Sequence, residues 1–94
     1  MFYVRIPGDI QPMVRGDRFE EPLHRALNVA GVGEVTGGGS QLGEGTTVEY
    51  CGIDVVVRDR QRGLQLIRET MRSLGAPTGT VIEEFLPDWK EHAL

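Results

Sequence analysis

The chain reads as an α+β two-layer sandwich, an antiparallel sheet with two helices on one face, and three observations predict it. Two stretches place apolar residues at three- and four-residue steps: Phe19, Leu23, Ala26, Leu27 and Ala30, then Leu64, Ile67, Met71 and Leu74. Four stretches rich in β-branched and aromatic residues, 2–6, 32–36, 46–57 and 80–86, read as strands. Their order is strand, helix, strand, strand, helix, strand within 94 residues, enough chain for one hydrophobic core and too little for two. The reading is therefore one domain over 1–87 followed by a tail over 88–94.

Taken in order, strand one alternates, with Phe2, Val4 and Ile6 on a buried face and Tyr3 and Arg5 on a wet one, and Pro7-Gly8 ends it. Residues 7–18, with two prolines and two glycines, are expected as a long loop that packs Ile10, Met13 and Val14. Asp17 and Glu20 stand at capping-box spacing, Pro22 suits a first helical turn, and Gly31 suits the left-handed closing position. The second and third strands are expected as a hairpin whose tip is 37–45, where five of nine residues are glycine. Asp59 is expected to cap the second helix, which ends at Gly75, with Arg60, Arg62, Arg68 and Arg72 as solvated charge. Strand four runs to Leu86 with Pro87 as its stop, and the tail is expected to fray unless Trp89 docks.

This element order resembles the ferredoxin-like fold. The resemblance implies a βαββαβ sandwich with sheet order 4-1-3-2 and both helices covering one face. It says nothing of function, since that fold hosts many. It also implies that loop 7–18, the tip 37–45 and the turn 75–79 share one rim beside the start of the first helix. There, backbone N–H groups, glycines and two guanidinium groups favour an anion. Arg15, Arg18, Gly37, Gly38, Gly39 and Ser40 are the candidate residues, opposed by the acidic Asp9, Asp17, Glu20 and Glu21. The second candidate is the uncovered sheet face, carrying Tyr3, Arg5, Tyr50, Asp54 and Val56. In one register Arg5 and Asp54 pair across strands. Aromatic and arginine side chains on such a face suit a protein partner or a second copy.

Several chemistries lack their residues. Gly31-Val32-Gly33 does not extend to GxGxxG and follows a helix, and no Walker motif occurs. One cysteine, Cys51, and two histidines, His24 and His92, do not make a zinc site or a disulfide. His24 is expected as an exposed helix residue and Cys51 as core. Ser40 and Ser73 lack triad partners. No catalytic residue, metal or cofactor is assigned. The loop around Gln11 and Arg15 is similar to that of the acylphosphatases only in those two residues, because Pro12 stands at a glycine position and no arginine follows Phe19. The aromatic strand motif of RNA-recognition domains is missing as well.

Net charge is −4 and the pI is near 5.1, which oppose nucleic acid and anionic membranes as partners. The first apolar run is too short for a signal-peptide core, and nothing approaches a membrane span, so the expected location is the cytoplasm. The leading expectation is a non-enzymatic binding or regulatory module acting by protein–protein contact, for example an immunity-type inhibitor of a basic toxin, or a homodimer. The alternative is a small-molecule or phosphate-binding domain, or an acylphosphatase-like hydrolase, using the glycine-rich rim.

Overall fold

Alternation of apolar residues in the first strand carries through to the sheet it joins. The computed structural model describes every residue except Glu44, Thr46, Leu86 and Pro87. The expected start of strand three at Thr46, part of the hairpin tip at Glu44, and the end of strand four at Leu86-Pro87 thus lie outside the described residues. The strands are β1 Phe2–Pro7, β2 Gly33–Leu42, β3 Val48–Val57, β4 Val81–Glu84 and β5 Lys90–Ala93. The helices are α1 Pro12–Arg15, a π-helical turn Gly16–Glu20, α2 Glu21–Ala30 and α3 Arg60–Ser73.

The sheet runs β2-β3-β1-β4-β5 with every neighbouring pair antiparallel. Phe2, Val4, Ile6, Cys51, Ile53, Val55 and Ile82 from one sheet face meet Leu23, Leu27, Ile67 and Met71 from α2 and α3, and all are buried. Two helices therefore cover one side of the sheet and leave the other bare. Close approach of α3 depends on Gly63, where a Cβ would stand 2.5 Å from Val57 Cγ1. Asp59 caps α3 by accepting from the Arg62 N–H at 3.1 Å. Gly31 closes α2 in the left-handed region at φ 70°.

Several expectations are corrected. The sheet has five strands rather than four, because Lys90–Ala93 pairs with β4. Trp89 is not what holds this segment, since it is 58% exposed. The segment is instead tied by the backbone ladder, by Glu91 to Arg5 at 3.1 Å, and by the Arg68 guanidinium donating to the Ala93 carbonyl at 3.0 Å. Arg68, expected as solvated charge, thus finds its partner across the fold.

Loop 7–18 is helical from Pro12, whose missing N–H suits the first turn. The expected capping box at Asp17 and Glu20 does not form, because those residues lie inside a continuous helical path. Pro22 has no N–H for an ordinary helical bond and its ring crowds the preceding turn. The chain widens just before it, the Glu21 N–H reaching the Gly16 carbonyl.

The glycine run is strand rather than hairpin tip: Gly37, Gly38 and Gly39 pair with Asp54, Ile53 and Gly52. Glycine is a poor strand former, so tertiary pairing overrides local preference here. A bulge at Thr36 precedes the run. Finally, Arg5 lies opposite Gly52 and Asp54 opposite Tyr3, which excludes the Arg5–Asp54 register.

Candidate functional site

The rim brings its predicted residues near one another but uses them internally. The Gly8 N–H bonds the Glu49 carbonyl at 3.1 Å, and the Asp9 carboxylate accepts from the Val48 N–H at 2.8 Å. Asp9 is therefore a structural clamp between the first loop and β3. The Arg15 guanidinium donates to Ser40 Oγ at 2.9 Å, and its Nε lies 3.2 Å from Glu20 Oε1, a contact not aligned as a hydrogen bond. Glu20 in turn fills the space above Gly38, where a Cβ would meet its carboxylate. Arg18 donates to the Gly75 carbonyl at 3.2 Å and lies over the Phe19 ring at 4.8 Å.

Both guanidinium groups are thus engaged within the fold. The cleft beside them, about 300 Å³, is lined by Gly16, Asp17, Glu20, Glu21, His24 and Val35. Three carboxylates at its mouth oppose an anion. His24, expected as exposed, is half-buried and accepts the Val35 N–H on Nδ1 at 3.0 Å. Its Nε2 lies 2.9 Å from the Asn28 side-chain amide nitrogen, which also donates to the His24 carbonyl at 3.1 Å. His24 therefore covers one point of the β2 edge. Cys51 lies beneath this cluster fully buried, and burial pushes its thiol pKa up while nearby Arg15 pulls it down in part.

The uncovered sheet face is the larger surface. One row across the sheet reads Gly37, Asp54, Tyr3, Glu83, Glu91, and the next reads Gly39, Gly52, Arg5, Val81, Ala93. The Tyr3 ring lies over Gly52, in the space a Cβ there would take. Arg5 pairs with Glu83 at 3.3 Å and Glu91 at 3.1 Å, and stands 6.0 Å from the centre of the Tyr50 ring. Val56 is 42% exposed, opposite Glu34 of β2.

The face carries the carboxylates Glu34, Asp54, Glu83 and Glu91 against the single guanidinium of Arg5, so its field is negative. The Tyr3 phenol senses that field: burial raises its pKa, and Tyr50, Asp54 and Glu83 raise it further. Alternation along β1 and β3 brings Tyr3, Arg5, Tyr50, Asp54 and Val56 onto this face as expected, and Glu83 and Glu91 join them without having been expected there. Glu83 falls in the expected strand four and Glu91 in the tail expected to fray; the alternating pattern Val81-Ile82-Glu83 is the signal in the sequence for the first.

On the covered side, Glu84 is buried and accepts two hydrogen bonds from Arg60, one at 2.7 Å, with His92 Nε2 at 3.3 Å. The Arg60 bonds, aided by His92, lower the Glu84 pKa from 4.5 to about 2. This cluster joins α3, β4 and β5. Among the described residues no three His, Cys, Asp or Glu side chains converge as a metal site, and no helix is long and apolar enough to cross a membrane. The chain matches no protein-family model, no curated protein and no solved structure.

Proposed function

We propose that this chain is a binding module whose uncovered sheet face docks a basic protein partner, in the manner of an inhibitor of immunity type. β1–β4 with α2 and α3 make a ferredoxin-like core in this reading, and β5 is an addition that widens the docking face. The observation that carries it is the face itself: two tyrosines, one arginine and an exposed valine set among four carboxylates. Aromatic and arginine side chains supply contact energy at protein interfaces, and a field of one sign selects and steers an opposite partner. The same field disfavours face-to-face pairing of two copies, which would set like charges against each other.

The test is affinity capture from the source cells, with mass spectrometry and binding kinetics on the captured protein. The expected result is a basic partner at one-to-one stoichiometry, lost when Asp54→Lys and Tyr50→Ala are introduced together, with an association rate that falls as salt rises. Retention by that double variant at an unchanged melting temperature, or a rate indifferent to salt, would overturn the proposal.

A further inference from the structure

We infer that the free edge of β2 pairs antiparallel with the β2 edge of a second copy, joining two sheets into one. Outside its ladder with β3, the described backbone from Thr36 to Gln41 bonds nothing in the fold, while Val35 is already covered by His24. Gly38, Gly39, Ser40, Gln41 and Leu42 are all exposed. A strand edge in this condition is a template for another strand.

Charge selects a second copy as the occupant. From Val35 to Gly43 nine consecutive residues carry no charge, in a chain of net −4. Along the strand itself two copies therefore oppose no like charges, and Glu20 above Gly38 is paired with Arg15, whereas the uncovered face is acidic. Side-chain alternation restricts the register. Gly37, Gly39 and Gln41 share the uncovered face, so an antiparallel self-pair puts like-facing residues opposite one another. With Gly39 on the two-fold axis, Gly37 lies opposite the second copy's Gln41 and Gly38 opposite its Ser40. Leu42, 57% exposed, then comes against the bulge at Thr36 beside the half-buried Val35. The paired edge is short, which places the dimer among small, reversible interfaces.

Sedimentation velocity over a concentration series, with amide chemical shifts followed in parallel, tests the pairing. A Cβ at Gly39 meets nothing within 4 Å, so substitution there leaves the monomer's packing intact. The wild type is expected to dimerise reversibly, with shift changes concentrated at Thr36–Leu42. Gly39→Lys should weaken association at least tenfold by setting two ammonium groups across the axis. Mixing Gly39→Lys with Gly39→Glu should restore dimers, an outcome that a folding defect does not produce. Leu42→Glu gives a second variant at an exposed position.

A wild type that stays monomeric at millimolar concentration overturns the inference and leaves the edge to a strand of another protein. Shift changes at Tyr3 and Tyr50 instead of β2, or failure of the mixed variants to associate, also overturn it. Partner capture through Asp54 and Tyr50 is read separately, so the edge and the face can fail independently.

Discussion

The two edges of the sheet are built on opposite principles. β5 is four residues long, carries Lys90, Glu91 and His92 in succession, and is tied inward by Glu91 to Arg5 and by His92 to Glu84. β2 is ten residues long, carries three consecutive glycines, and is charged only at Glu34. Short, charged edges resist further pairing, and long uncharged ones invite it. Closing one side of the sheet with a guarded strand therefore leaves β2 as the place where another strand can add. The added strand also contributes Glu91, so the same event that closes one edge makes the uncovered face more acidic.

The largest way to break this contrast is at Glu84, which anchors both α3 and β5. Glu84→Ala removes two charged hydrogen bonds and should cost about 1 to 2 kcal/mol in urea unfolding, held to that size because the Arg60 left behind is half-exposed and regains water. Amide exchange at Lys90–Ala93 should rise with it, converting β5 from a guarded edge into a frayed one. Protection there equal to wild type would show that β5 is held by its ladder alone.

The same group gives the contrast a pH dependence. Its pKa is lowered to about 2 in the fold, so the unfolded chain binds the proton more tightly than the folded one. Its contribution is fully present above the unfolded value near 4.5 and is lost as pH falls toward 2. Thermal melts from pH 6 to 2 should therefore fall more steeply for the wild type than for Glu84→Gln. Parallel curves for the two proteins would remove Glu84 as the source.

Adjacent glycines on β2 sharpen the comparison with opposite signs. At Gly38 a methyl group meets the Glu20 carboxylate and the Gly52 carbonyl, the latter at 3.0 Å, so Gly38→Ala should destabilise by about 1 kcal/mol. At Gly39 the space is open, and Gly39→Ala should stabilise by about 0.5 kcal/mol by restricting the unfolded chain. Equal effects at both positions would mean that Glu20 does not shield the strand. Smallest is Glu91→Ala, expected below about 1 kcal/mol because the pair with Arg5 is partly exposed and screened. Its clearer effect is a slower association with a basic partner.

Much of the scaffold was legible from residue patterns. Period-two alternation in 2–6 sorted Tyr3 and Arg5 from Phe2, Val4 and Ile6, because a half-buried strand cannot hide its pleat. Helical stripes at Leu23–Ala30 and Leu64–Leu74 identified the two covering helices, and Asp59 and Gly31 marked ends whose chemistry is local. Glycine misled at 37–39, since its freedom is equally compatible with a turn and with a strand enforced by a neighbour. Pro12 misled in the same way, its first-turn preference being hidden among other loop-forming residues. The candidate face was half legible: its β1 and β3 members followed from alternation, while Glu91 did not.

What the sequence by itself determined is therefore the local part: which residues of β1 and β3 are buried, where α2 and α3 lie, and that acidic groups outnumber basic ones. Tertiary structure alone decided the β1–β4 and β4–β5 registers that give Arg5 to Glu83 and Glu91, the recruitment of the glycines into β2, and the docking of β5. Those outcomes depend on free energies shared between segments distant in the chain. No short stretch of residues carries such a term, and so none of them can reveal it.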